Sequence, residues 1–168
     1  MSTFKKISPD DFNNSAFKSI GKDWMLITAG NTEKSNTMTA SWGGFGIMWG
    51  KPVVYAVIRP QRYTKEFIDA NESFSISILP DEYRKTLSYL GTVSGRDEDK
   101  IEKSGLTLEY NNGVPYFAEA KTYMVCRKMY AQPMQPESII DDTVDAKWYP
   151  DKDYHTMYIA EIEELLIK

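Results

Sequence analysis

Two short stretches hold the residues best suited to chemistry. Asn36-Thr37-Met38-Thr39-Ala40-Ser41-Trp42-Gly43 is small and hydroxyl-rich, a ribbon along which a flat ligand can approach the backbone. Further along, Arg59-Pro60-Gln61-Arg62-Tyr63-Thr64-Lys65 sets two guanidinium forks and two hydroxyls at the mouth of an expected helix. A planar guanidinium matches a phosphate bidentately, and the amides that open a helix point unpaired at the same place. The first stretch also fits a tightly packed strand pair whose glycines serve a bulge. The second also fits a solvated turn with two surface arginines and a helix cap. Taken together, a flat end and a phosphate end suggest a nucleotide-like cofactor, with FMN the first candidate and Met38 and Trp42 walling the ring.

Other reactive residues offer less. His155 is the sole histidine and Cys126 the sole cysteine, too few for the usual zinc sites, and no metal is expected even though Asp151, Asp153 and His155 share one side of an extended segment. A histidine titrates near neutrality, so His155, if it lines the pocket, would tune reduction with pH. Cys126 sits mid-strand among apolar residues and reads as a buried, inert thiol. There is no Gly-x-Ser-x-Gly, no Walker-type loop, and Gly44-Phe45-Gly46 does not extend to a dinucleotide fingerprint. A nicotinamide, if used, would be a transient visitor.

The elements that must position these residues are mostly strands. Trp24–Ala29 ends at Gly30 as a buried strand, and Thr37–Trp42 makes a second. Gly43, Gly44, Gly46 and Gly50 suggest an irregular, close-packed connection. Pro52–Ile58 is strongly β-prone, and Ser73–Leu79 alternates with period two. Ala120–Gln132 and Tyr154–Ile167 are long strands, the last with a weak point at Glu163-Glu164. Tyr110-Asn111-Asn112-Gly113 reads as a hairpin turn. Short helices are expected from Ser8 to about Lys18, over Thr64–Ala70 with Phe67 and Ile68 inward, over Glu82–Leu90, and over Arg96–Lys103 closed by Gly105. Pro133 to about Asp153 reads as a loop. The absence of regular strand–helix alternation argues for a closed or partly closed β-barrel.

The 168 residues read as one domain over 1–168, with 42% hydrophobic and 13% aromatic residues, enough for a substantial core. A net charge of −4 argues against general nucleic-acid binding. No stretch approaches the roughly twenty apolar residues of a membrane span, and the first ten residues hold no signal-peptide core. A lone cysteine and no targeting segment point to the cytoplasm.

At these motifs the chain resembles the flavin reductase-like family, the FMN-binding split-barrel group that includes flavoredoxins. The resemblance runs through Trp24–Gly30, Asn36–Gly46, Arg59–Ile68, Tyr89–Asp97 and Tyr154–Ile162. It implies a mainly β, FMN-binding split barrel with short peripheral helices, a homodimer with FMN held non-covalently near the dimer interface. By this resemblance Thr37, Met38, Thr39, Ala40, Ser41 and Trp42 hold the ring and ribityl chain. Arg59, Arg62, Tyr63 and Thr64 hold the phosphate, and Ser94, Gly95, Lys100 and His155 complete the pocket. Ala160 departs from the family pattern, where glycine is expected, and its methyl would narrow a close backbone approach at that position, which bears on the role given to His155. The implied activity is an FMN oxidoreductase, a flavin reductase that passes hydride from NAD(P)H to FMN and on to an acceptor. The alternative is a flavoredoxin-like electron carrier or flavin sensor with no nicotinamide reaction. No catalytic residue is assigned, because hydride arrival at the flavin N5 needs no general acid or base. A split barrel holding haem or pyridoxal phosphate is a third reading.

Overall fold

A computed structural model describes residues 3–168. In chain order its strands are β1 (Lys5–Ile7), β2 (Met25–Gly30), β3 (Ser35–Ala40), β4 (Gly43–Met48), β5 (Lys51–Ile58), β6 (Ser73–Ile78), β7 (Leu108–Asn111), β8 (Val114–Phe117), β9 (Thr122–Pro133) and β10 (Thr156–Ile167). Eight form one sheet in the order β3-β2-β6-β9-β10-β5-β4, with β1 paired to β10 at Leu165–Ile167, beyond the reach of β5. Every pairing is antiparallel. Strands β7 and β8 form a separate hairpin across the expected Asn112-Gly113 turn.

The sheet curls on itself. Side chains point to one face at every second residue of a strand. Here Ile27, Ala56, Ile76, Met124 and Tyr158, each from a different strand, meet in one buried cluster with their period-two neighbours. This is the mainly β split barrel that the sequence led us to expect. The split lies between the two end strands, β3 and β4. They do not pair with each other, although only Ser41 and Trp42 separate them in the chain.

Five short helices cover the outside: α1 (Ala16–Ser19), α2 (Tyr63–Ala70), α3 (Arg84–Thr92), α4 (Lys100–Ser104) and α5 (Asp142–Trp148). Ile68 of α2 enters the barrel cluster and is fully buried, which stabilises the helix by roughly 1.5–3 kcal/mol. Leu87 and Leu90 of α3 pack on Leu26 from the other face of β2. Cys126 lies inside the barrel, where burial pushes its thiol pKa up.

Several local expectations are corrected. The glycine-rich segment after Trp42 is not irregular but the regular edge strand β4, paired with β5 throughout. Gly44 serves packing there: a Cβ would lie 2.4 Å from a ring atom of Tyr55, which crosses over it. Glu163 does not begin a frayed end. It is the extra residue of a β-bulge, because Ile162 pairs with Cys126 and Glu164 with the next residue, Val125. The bulge resets the alternation, so that Ile162 and Leu165 both face the core. The helix expected from Ser8 is a single 3-10 turn over Pro9–Asp11, and a separate α1 starts at a Ser15 cap. The helix expected from Arg96 begins only at Lys100, where the Asp99 carboxylate accepts the Glu102 N–H at 3.0 Å. The loop expected over 133–153 contains α5, capped by Asp141, whose side chain accepts the Thr143 N–H at 2.9 Å.

Candidate functional site

A cavity of about 280 Å³ opens at the seam of the barrel, lined by Met38, Thr39, Ala40, Ser41, Trp42, Val57, Arg59, Arg62, Trp148 and His155. Strand β3 ends at Ala40, so Ser41 and Trp42 leave the sheet there and bring backbone to the cavity wall. Helix α5 delivers Trp148, whose ring stands edge-on to Trp42 at 4.9 Å between centroids. Trp42 in turn lies 5.1 Å from the His155 ring. The His155 Nδ1 is 2.8 Å from the Tyr149 hydroxyl. Burial, and then the charge of Arg59, pull the His155 pKa down to about 4. The imidazole is therefore neutral at physiological pH, which corrects the expectation of a group that titrates near neutrality.

A second cavity of about 160 Å³ adjoins the first at Arg62 and is lined by Asn36, Gln61, Arg62, Tyr63, Thr64, Thr92, Val93, Ser94, Gly95 and Lys100. Two cations dominate it. Arg62 Nη1 donates to the Gly91 carbonyl at 2.8 Å. Lys100 Nζ donates to the Leu90 and Val93 carbonyls at 2.8 and 2.9 Å, and the residue is 3% exposed. These carbonyls end α3, where the helix dipole presents about half a negative charge. Among the described residues neither cation has a carboxylate within 4.0 Å. Burial, and then the Arg62 charge beside it, lower the Lys100 pKa to about 8, and burial lowers that of Arg62. One buried and one part-buried positive charge against half a negative one leave an excess that burial makes costly unless an anion joins them. Helix α2 opens at the same place with Arg62 as its N-cap and no capping side chain; the Lys65 N–H donates to the Arg62 carbonyl at 3.0 Å, which leaves the Tyr63 and Thr64 amides without an acceptor among the described residues.

Gly95 is what allows this cavity to close. A Cβ there would lie 2.2 Å from Asn36 Oδ1 and 3.2 Å from the Tyr63 ring. Asn36 itself donates through Nδ2 to Thr64 Oγ1 at 2.9 Å, which ties β3 to the start of α2.

The residues singled out in the sequence thus fall into two groups. Met38, Thr39, Ala40, Ser41, Trp42, Arg59, Arg62 and His155 share the seam cavity. Arg62, Tyr63, Thr64, Ser94, Gly95 and Lys100 share the cation-lined one. Thr37 lines neither: its hydroxyl lies 2.9 Å from that of Thr28 and donates to the Ile27 carbonyl. Arg59 and Arg62 do not form one corner. Arg59 Nη1 is 2.6 Å from Asp153, Nη2 donates to the Trp148 carbonyl, and the guanidinium lies 5.2 Å from the Tyr149 ring centre. Asp153 and the α5 segment thus hold Arg59 at the seam, away from the second cavity. Ala160 is fully buried in the barrel cluster. Sequence reasoning gave no binding role to Asn36, Val57 or Trp148. Asn36 was legible as the period-two partner of Met38 and Ala40, and Trp148 as the helical partner of Val144 behind an Asp141 cap.

Among the described residues no helix is long and apolar enough to cross a membrane. Comparison with known proteins gives the chain its relatives. An uncharacterized protein of Archaeoglobus fulgidus is 33% identical over 104 residues, covering 61% of this chain and 58% of that protein. The chain spans about three fifths of the length of such curated relatives. Flavoredoxin from Methanosarcina acetivorans shares the fold with a TM-score of 0.68, over 86% of this chain and 68% of its own, at 22% identity. The NADH:FAD oxidoreductase SgcE6 of Streptomyces globisporus C-1027, in complex with NAD and FAD fragments, shares it with a TM-score of 0.64, over 86% of this chain and 74% of its own, at 16% identity. Residues 17–168 match the family described as flavin reductase like domain, and the chain belongs to that family.

Proposed function

We propose that the protein binds FMN non-covalently and acts as an NAD(P)H-dependent flavin oxidoreductase. The observation that carries this reading is the pair of a part-buried Arg62 and a buried Lys100, neither with a carboxylate partner among the described residues, at one end of a seam cavity with a small-residue wall. The two cations and the uncapped amides of α2 suit a phosphate, with hydroxyls at Tyr63, Thr64 and Ser94 to complete its shell. Thr39, Ala40 and Ser41 offer backbone to a planar ring, while Trp42 and Trp148 exclude water from its edge. Bound there, a flavin supplies a two-electron acceptor for hydride from a nicotinamide. The neutral His155 offers a hydrogen bond without a competing charge. Nothing in this chain needs to move a proton for hydride to arrive, so these residues bind and orient.

The assembly we propose is a cytoplasmic homodimer. An apolar groove of about 640 Å³ crosses the outer face of the sheet, lined by Trp49, Tyr130, Met134, Ile139, Met157 and Ile159 among others. Trp49 is held out at a φ of 52°, in the turn joining β4 to β5, and is 59% exposed. A bulky residue with positive φ is strained, and such strain is retained where something else makes use of it. Met157 pairs with Val57, which lines the seam cavity, so a second copy on this face would border the ring.

A visible spectrum of the purified protein, before and after anaerobic NADH and NADPH, tests the activity. Rapid bleaching of bound flavin by either nucleotide is the expected result. Bleaching by dithionite alone would instead favour an electron carrier, a reading supported by the fold shared with flavoredoxin. A colourless protein indifferent to added FMN would end both.

A further inference from the structure

The side chain of His155 has one hydrogen-bond partner, and the direction of that bond decides what the imidazole offers the seam. The Tyr149 hydroxyl oxygen lies 2.8 Å from Nδ1. The imidazole is neutral, so one of its nitrogens carries a proton and the other a lone pair. Either Tyr149 donates to a bare Nδ1 and the proton sits on Nε2, or Nδ1–H donates to the phenol oxygen and Nε2 is bare.

The surroundings of Tyr149 choose between the two. Its hydroxyl has one other side-chain partner in reach, Met134 Sδ at 3.5 Å. A thioether is a weak acceptor and a bare imidazole nitrogen a good one. With the proton on Nδ1, the phenol O–H would be left with the sulfur alone. Burial pushes the Tyr149 pKa up, so the phenol keeps its proton to donate. The residue is also held in place. It is 4% exposed, its ring lies 4.7 Å from that of Tyr154 and 5.2 Å from the Arg59 guanidinium, and its N–H donates to the Asp145 carbonyl at the end of α5.

Nε2 faces the other way. It has no hydrogen-bond partner among the described residues, yet it is not sealed in, since the sealed and unpartnered side-chain atom among them is Asp153 Oδ1. His155 lines the seam cavity and Tyr149 does not, so the free nitrogen is on the cavity side of the ring.

Building on the flavin reading above, we propose that Tyr149 is a positioning residue: it donates to Nδ1, holds the His155 proton on Nε2, and so aims a hydrogen-bond donor at an acceptor atom of the flavin ring. Without Tyr149 the imidazole is free to turn or to change tautomer and to meet the same atom with a lone pair.

The sole histidine makes the test direct. Untagged protein with isotopically labelled imidazole nitrogens gives one pair of ring-nitrogen signals by NMR. In the free protein Nε2 should be protonated and Nδ1 bare, with the Nδ1 signal displaced from that of a free lone-pair nitrogen by the phenol it accepts. Tyr149→Phe should return Nδ1 to the free position, a change that loss of packing alone does not produce. Added FMN should shift Nε2 and its proton, and riboflavin should shift them alike, because the ring is common to both. Tyr149→Phe should weaken both flavins by about two- to tenfold, the scale of one neutral hydrogen bond. A proton on Nδ1 in the free native protein would overturn the proposal. So would an Nδ1 signal indifferent to Tyr149→Phe, or an Nε2 signal that moves with NADH and with neither flavin, since the donor would then serve the nicotinamide. Should Tyr149→Phe disturb folding, the native tautomer decides alone. If neither flavin binds, the flavin reading itself fails, while the free protein still decides what Tyr149 does to His155.

Discussion

Arg59 and Arg62 leave the same turn, joined by a hydrogen bond from the Arg62 N–H to the Arg59 carbonyl, yet they end in opposite electrostatic situations. Arg59 has Asp153 at 2.6 Å and a backbone carbonyl, and it helps to hold the α5 segment against the seam. Arg62 has only the C-terminal carbonyl of a helix and a second cation for company. Charge count alone does not tell a strut from a binding group. What separates them is whether the fold has already supplied the counter-charge. A satisfied arginine costs the protein structure when removed. An unsatisfied one costs it a ligand.

The comparison is sharpest in a pair of substitutions. Arg62→Ala should weaken FMN binding by about ten- to a hundredfold, the value of a charge-assisted contact, and leave riboflavin affinity unchanged because riboflavin lacks the phosphate. Arg59→Ala should change FMN affinity by less than about threefold and instead lower the melting temperature as α5 loosens. Fluorescence titration with both ligands reads the difference, and equal losses of FMN binding in the two variants would break it.

Lys100 extends the argument to pH. Its pKa, lowered to about 8 from 10.5, means that it loses its charge as pH rises through 8. FMN affinity should therefore fall across that range, by about tenfold if the lysine contact resembles an ordinary charged hydrogen bond. Stability of the apoprotein should move the other way. Between pH 8 and 10.5 the unfolded chain binds the proton that the folded chain has lost, so stability rises with pH. Lys100→Met should flatten both trends. A flavin affinity that ignores pH in the native protein would remove Lys100 from the phosphate.

Gly95→Ala tests the wall between the two charges and Asn36. A Cβ 2.2 Å from Asn36 Oδ1 must displace it. A cost of about 1–3 kcal/mol is expected, read as a fall in melting temperature of about 2–4 °C per kcal/mol. The last test lies at the other end of the site. His155 has a folded pKa of about 4 against 6.5 for the free side chain, so the unfolded state binds the extra proton between them. Stability should decline as pH falls from 6.5 towards 4, read as a falling melting temperature, and His155→Gln should lose that acid dependence.

The barrel was largely legible because β2 and β5 are written as apolar, β-prone runs and β6 alternates with period two. Its exceptions were not legible for physical reasons. Glu163 is invisible as a bulge because two adjacent glutamates look the same in either register until the partner strand fixes the pairing. β4 escaped notice because glycines carry no side-chain pattern, and its regularity comes from β5 and the Tyr55 ring. At the site, the short-range features survived: Ala40 to Trp42 meet in one cavity, as do Tyr63 and Thr64 in the other. What could not be read was which arginine finds a carboxylate, since Asp153 reaches Arg59 from a segment far along the chain.

One further property follows from the position of Cys126, which pairs with Phe74 on one side and Ile162 on the other. A thiol walled in by two neighbouring strands meets a water-borne maleimide or disulfide dye only when the whole enclosure comes apart. The lone cysteine is thus a built-in clock for global opening that needs no engineering. A compound that binds only the closed form should slow that clock by the factor one plus its concentration over its Kd, so any guest of this protein can be ranked without following its colour or its turnover.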